Sequence, residues 1–365
     1  MRATDASRFR QVVVSMTGFG PVAHQLREAG IEVHTLGMRR GVPNLGAVWR
    51  LVKLLRRSRP DLLLCWMYHA DLLGLLAGKL AGVPQVWWGI RASNMDFTLY
   101  RPLTRLVVWL GGRLSWLPEL IIVNSEAGRK LHAGRGYSTS KMVVIPNGVD
   151  LQEFKADPSA REMVRNELGL GEDVLLVGLI ARFDPMKGHK TFFEVAGLLV
   201  RRFQKVHFLL AGRGLSPENL EVSRMVHANS LEGVVHLMGI RQDIPRLTAA
   251  LDIATSCSPF GEGFSNAIIE AMACGVPCVV TDVGDAVLIV GDTGMVVPPR
   301  NPKALAEALV EMVEMNPQER QALGAKARER IQVNFPLASM VRAFESLYER
   351  VHDGREFKAM NGVQV

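Results

Sequence analysis

The segment GEGFSNAIIEAMACG (261–275) sets two carboxylates, Glu262 and Glu270, around a glycine turn that leads into an apolar run. A charge in such a run costs several kcal/mol unless something pairs with it. Ser265 or Asn266 is the expected N-cap and Gly275 the expected C-terminal stop. The turn Gly261-Glu262-Gly263 brings unpaired amides to a helix N-terminus, where the helix dipole also favours an anion. Glu262 stands in that loop. Glu270, one to two turns into the helix, offers two oxygens to the two hydroxyl donors of a vicinal diol such as a ribose. Taken alone, two glutamates eight apart are better explained by solvation of one and an arginine partner for the other.

They are not alone. IARFDPMKGHKTF (180–192) follows an apolar strand and supplies Arg182 and Lys187 just before a helix. Arginine forks onto phosphate and lysine adds a point charge. Either residue singly would be an ordinary exposed base. A third turn, AGRG (211–214), again follows a strand, and by itself is weak evidence because such connections often need glycine.

Composition bounds the rest. The chain has 365 residues, long enough for two domains, with 48% hydrophobic and 22% charged residues. Cys65, Cys257, Cys274 and Cys278 lie in apolar segments without zinc spacing, as expected of buried thiols in a reducing cytoplasm. The most apolar stretch, 106–123, is interrupted by Arg113, Pro118 and Glu119 and makes a poor membrane span. Residues 1–150 hold 20 Lys+Arg against 9 Asp+Glu, whereas the whole chain is at +7. A basic front half points to phosphates or a membrane surface; no nucleic-acid motif is present, and nucleic acid is not expected as a partner.

These residues need a scaffold. QVVVSM, EVHTLG, DLLLCWM, QVWWGI, LIIVNS and MVVIPN read as strands in the first half. VLLVGLI, VHFLLAG, VVHLMG, DIATSC, CVVTD and GMVVPP read as strands in the second. Helical periodicity separates many of them, as in 45–57 and 302–315. This alternation predicts α/β architecture with parallel sheets covered on both faces. The PNGVD turn (146–150) marks the break, followed by a polar stretch to about Asp173. The expected domains are 1–149 and 150–335, both Rossmann-like and facing a cleft. A last helix, 336–352, either closes the second domain or packs back on the first.

In order along the chain, ARFDPMKGHKTF, LAGRG, HLMGIRQDIPRLTAALDI and SPFGEGFSNAIIEAMACGVPCVVTDVG resemble the signature of the group 1 glycosyltransferases, glycosyltransferase family 4. The resemblance spans most of the chain, and the Glu-x7-Glu block is its most specific part. It implies the GT-B fold and a retaining transfer of sugar from a nucleoside-diphosphate donor to a saccharide or lipid-linked acceptor, in envelope or exopolysaccharide synthesis. Glu270 would hold the donor ribose, and Arg182 and Lys187 the leaving diphosphate. Glu262, with the amides of Gly263, Phe264 and Ser265, would hold the sugar. Gly212 would line the donor site, and Gly239-Ile240-Arg241 would lie near the base. CWMYHADLLGLLAGKLAGVP resembles the stretch whose histidine reaches the donor sugar, here His69; without that context it would be an ordinary histidine at a helix start. No cofactor and no metal is expected, since no Asp-x-Asp motif is present.

Two departures stand out. TDVGDAVLIVGDTG lacks the family's Gly-x-Pro-Glu glutamate, which Asp285 would have to replace. MRATDASRFRQVVVSM resembles the end of the first helix and the second strand, so the first strand and glycine-rich loop are expected to be missing. Two open strand edges, at QVVVSM and DLLLCWM, would follow. RLVKLLRRSR (50–59) and RPLTRLVVWLGGRLSW (101–116) combine bases with Leu, Val and Trp, and predict peripheral contact with anionic lipid at the cytoplasmic face. A nucleotide-sugar epimerase or hydrolase, and a non-catalytic nucleotide-sugar-binding subunit, are the competing readings.

Overall fold

The computed structural model describes residues 3–39, 44–93 and 100–352. Among these, 3–91, 100–146 and 338–352 form one compact unit, and 92–93 with 147–337 form the other.

The first unit runs β1 (Val12–Ser15), α1 (Pro21–Glu28), β2 (Glu32–Thr35), α2 (Leu45–Ser58), β3 (Leu62–Trp66) and α3 (Tyr68–Ala81). It continues through β4 (Gln85–Ile90), α4 (Pro102–Leu114), β5 (Leu120–Val123), α5 (Glu126–Ala133) and β6 (Met142–Val144). All pairings are parallel. β1 pairs with β2 from Val12↔Glu32 to Ser15↔Thr35, and β3-β4-β5-β6 form a separate four-stranded sheet. Among the described residues no ladder joins β1 to β3, so each has one partner strand, as the two open edges required.

The second unit runs α6 (Pro158–Leu168), β7 (Leu175–Ile180), α7 (His189–Arg202), β8 (Val206–Ala211), α8 (Leu220–Ala228), β9 (Val235–Leu237), α9 (Ile244–Ala249) and β10 (Ile253–Ser256). It continues through α10 (Asn266–Ala273), β11 (Cys278–Thr281), α11 (Ala286–Val290), β12 (Met295–Val297), α12 (Pro302–Glu314) and α13 (Pro317–Asn334). Its parallel sheet has the order β12-β11-β10-β7-β8-β9. Phe192, Phe193 and Leu309 pack on one face, and Ile268, Met272 and Ile331 on the other. Burial on both faces explains why these strands are continuously apolar instead of alternating.

The twelve apolar runs of the sequence correspond to β1–β12 in order. One helix was hidden: α6 lies in the stretch that read as polar linker. Asp157 caps it by accepting from the Ser159 and Ala160 amides, and Gly169 ends it in the left-handed region. Only Ala160, Val164 and Arg165 of this helix are buried, so its inward stripe is short and includes a charged residue.

The final helix, α14 (Leu337–His352), belongs to the first unit. Its Tyr348 stacks on Trp87 of β4 with ring centroids 6.1 Å apart, and Phe344 tilts against Trp66 at 6.2 Å. Sequence periodicity shows such a helix but not which sheet it covers.

Candidate functional site

Strand order positions the chemistry in the second unit. From β7 the chain winds outward through β8 and β9; β10 then returns to the other side of β7 and winds through β11 and β12. The loops after β7 and β10 therefore diverge at the reversal point, where open α/β sheets bind ligands. Arg182 and Lys187 follow β7; Glu262 follows β10.

The β7 loop is held by Asp184. Its carboxylate accepts from the Met186 amide at 2.9 Å and from Arg182 Nε at 3.1 Å, starting a 3-10 turn over Pro185–Lys187. Gly188 then adopts φ +69°, and a Cβ there would stand 1.9 Å from the Cys257 carbonyl oxygen. Only glycine lets the two loops approach this closely.

Glu262 is 8% exposed and fixed on several sides. Its Oε1 accepts from Lys187 Nζ at 2.5 Å and from Ser258 Oγ at 2.8 Å. Its main-chain carbonyl accepts from the Ser93 hydroxyl. Ser258 is anchored in turn by Thr281, whose hydroxyl donates to the Ser258 carbonyl at 2.7 Å. The Asp285 amide donates to the Gly263 carbonyl at 3.0 Å, and Gly284 lies against the same loop with no room for a side chain. Ser93, Ser258 and Thr281 went unnoticed in the sequence because serines and threonines far apart in the chain carry no spacing signal.

Ser265 occupies the N-cap of α10 but makes no side-chain capping bond, so the first turn keeps unsatisfied amides. The Phe264 ring is core, edge-on to Phe335 at 5.1 Å. Glu270, half-buried on α10, has its carboxyl pushed up to about 7, mainly by burial and secondarily by the facing charge of Glu153.

Gly212 has φ +149°, and a Cβ there would meet the Ala181 carbonyl at 2.1 Å. Its amide donates to the Gly239 carbonyl at 2.8 Å, tying the loops after β7, β8 and β9 together. Arg241 is committed elsewhere. It bonds Glu167 at 2.6 Å and Asp243 at 2.8 Å, while Arg246 bonds the same two carboxylates. The Arg241 guanidinium holds Asp243 far below the usual carboxylate range. Asp285 is buried at the start of α11, 6% exposed. His69 lies in the first unit, an exposed second residue of α3.

Comparison with known proteins gives the family. Residues 2–153 match the family described as Glycosyltransferase Family 4, and residues 173–315 match Glycosyl transferases group 1. The chain belongs to glycosyltransferase family 4. An Escherichia coli UDP-Gal:alpha-D-GlcNAc-diphosphoundecaprenol alpha-1,3-galactosyltransferase is 26% identical over 66% of this family 4 chain and 63% of its own length. The Campylobacter jejuni N,N'-diacetylbacillosaminyl-diphospho-undecaprenol alpha-1,3-N-acetylgalactosaminyltransferase is 28% identical over 80% of this chain and 78% of its own. The chain thus spans less than two thirds of the first of these relatives. The crystal structure of Anabaena HepE with UDP and glucose superposes with a TM-score of 0.82, at 24% identity, covering 94% of this chain and 93% of that one. The fold of this family 4 chain is GT-B, with two Rossmann-like units.

Proposed function

We propose that the chain is a retaining glycosyltransferase that takes a sugar from a nucleoside-diphosphate donor and delivers it to a lipid-linked saccharide of the cell envelope. The observation that carries this reading is the Lys187–Glu262 pair, buried at the reversal point of the second sheet and backed by Ser258. Lys187 has two further N–H groups for the leaving diphosphate, joined by Arg182. Both bonds to Glu262 fall on Oε1, so Oε2 is left to accept from sugar hydroxyls, while the amides of Gly263, Phe264 and Ser265 donate to sugar oxygens. Glu270 accepts from the ribose diol, with Gly212 giving the nucleotide backbone room to approach.

As the glycosidic bond breaks, negative charge grows on the departing diphosphate. Cations and amides fixed beforehand stabilise that charge without reorganising. Glu262 is not assigned as a nucleophile, because its carboxylate is already bound to a lysine and a serine. Relatives act on diphosphoundecaprenol-linked sugars, which supports an acceptor of that class. Arg241 contributes by holding the Gly239-Ile240-Arg241 loop against α6, and Asp285 by its amide contact to the sugar loop. Because Lys187 and Arg182 supply the positive charge, turnover is expected without a divalent ion.

An acceptor at a membrane suits the first unit. Leu103, Leu106, Trp109 and Trp116 stand exposed along and just beyond α4, beside Arg101, Arg105 and Arg113. α3, which carries exposed Leu76 and Leu80, packs between α4 and α2, whose Leu45 and Trp49 are also exposed. We propose that this apolar and basic face rests on anionic lipid.

The test is a panel of UDP- and GDP-sugars with and without N-acetylglucosaminyl-diphosphoundecaprenol, with products separated by anomer. Acceptor-dependent transfer with retention, surviving EDTA, is expected. Acceptor-independent hydrolysis or epimerisation would replace the reading, and complete loss on chelation would displace the cation role given to Lys187.

A further inference from the structure

A single residue, Met67, links β3 to α3, and its backbone is in a conformation that side chains avoid: φ 79°, ψ 146°. This lies at the edge of a region that is essentially glycine-only and costs about 1–3 kcal/mol. Burial does not offset the cost, because Met67 is 49% exposed. What the turn achieves is direction. Tyr68 and Asp71 point inward, 6% and 2% exposed, while His69 faces solvent at the C-terminal edge of the strand.

Three hydrogen bonds close around the elbow. The Met67 amide donates to the Gly89 carbonyl at 3.0 Å, and the Asp71 amide donates to the Met67 carbonyl at 2.9 Å. The Gly89 amide donates to Asp71 Oδ1 at 3.4 Å. Gly89 also lets the Trp66 ring lie flat against β4, since a Cβ there would be 2.1 Å from it, and Arg91 stacks on that ring at 4.2 Å. On the inner side Tyr68 is locked. Its O–H bonds His132 Nε2 at 2.8 Å, and His132 Nδ1–H donates to the Gly128 carbonyl at 2.7 Å. Burial pushes the Asp71 carboxyl well above its ordinary range.

We infer that Asp71 is a positioning residue: its buried carboxyl clamps the strained one-residue elbow between β3 and α3 and so fixes where His69 stands. The inference rests on the proposed function for its kinetic consequence, though not for its structural one. A group displaced by about 1 Å can cost on the order of 100-fold in rate. The donor-holding residues lie in the other unit and are untouched by this clamp.

The test compares wild type, Asp71→Asn, Asp71→Ala and Met67→Gly. It measures UDP release from UDP-glucose in the presence of N-acetylglucosaminyl-diphosphoundecaprenol and, separately, the His69 ring resonances by NMR across pH. Asp71→Ala should lower kcat about 10- to 100-fold with the KM for UDP-glucose within about twofold. Asp71→Asn, which can still accept from the Gly89 amide, should recover most of it. Met67→Gly, freed of strain, should keep or raise the melting temperature yet lose kcat; it carries the test if Asp71→Ala does not fold. Unchanged kcat in Asp71→Ala or Met67→Gly, or an Asn variant as poor as Ala, overturns the inference. If wild type releases no UDP, the functional reading fails for that donor and the NMR arm decides alone. His69 resonances that move in Asp71→Ala and not in Asp71→Asn then support the clamp, and resonances that stay fixed in both overturn it.

Discussion

At the scale of single residues, Glu270 would make the proposed donor site sensitive to pH. Its carboxyl is pushed up to about 7, by burial first and Glu153 second, so near neutrality part of the population is protonated. In the proposed site, ribose hydroxyls would donate to the ionised form. Affinity for a nucleotide sugar should therefore rise with pH through about 7 and fall below it, by at most tenfold per pH unit for one proton. Glu153→Gln removes the facing charge and should move that midpoint to lower pH; calorimetric titration from pH 5.5 to 8.5 measures both. Stability runs the other way. A carboxyl whose folded pKa exceeds its unfolded value favours folding fully at low pH, and that contribution is lost as pH rises from the unfolded pKa to about 7. Wild type should lose melting temperature relative to Glu270→Gln over that window. Parallel curves for the two proteins would show that Glu270 is not the group titrating. The sequence exposed Glu262, Glu270, Arg182 and Lys187 because each sits in a short motif with strong spacing. It did not expose Ser258, Glu153 or Asp71, whose roles come only from contacts across the fold.

At the scale of elements, the twelve strands were legible because parallel sheets buried on both faces need unbroken apolar runs, and α2 and α12 because their stripes have helical period. α6 was not, since its single buried stripe is mostly Ala160, Val164 and a paired Arg165. The docking of α14 was not either, because aromatic residues such as Phe344 and Tyr348 fit any sheet face. The loop-to-loop contact at Gly188 is an element-scale feature with its own test. Gly188→Ala combines a positive φ with a Cβ 1.9 Å from the Cys257 carbonyl, whereas Gly233→Ala has φ +78° and nothing within 4 Å. Both should pay the cost of left-handed backbone, about 1–2 kcal/mol. Gly188→Ala should lose more in urea denaturation and also weaken donor binding, because the β7 and β10 loops must separate. Equal losses in the two variants would show that the loops are not pinned at that point.

At the scale of the whole molecule, charge and apolar exposure concentrate in the first half. Residues 1–150 carry 20 Lys+Arg against 9 Asp+Glu, and Trp109 and Trp116 are 56% and 65% exposed. Each base at an anionic surface contributes about 1 kcal/mol. Sedimentation should show binding to phosphatidylglycerol vesicles that weakens at high salt and weakens again in Trp109→Ser with Trp116→Ser. Equal binding to neutral vesicles would remove the lipid-facing role. The central claim is narrower: the second unit holds a nucleotide-sugar donor through Lys187, Glu262 and Glu270. Isothermal titration of UDP and UDP-sugars into wild type, Lys187→Ala and Glu270→Ala tests it most directly. Removing either charged partner should cost about 1.5–3 kcal/mol, a loss of roughly 10- to 150-fold in affinity, with the fold intact by circular dichroism. Wild-type affinity retained in both folded variants would contradict the account.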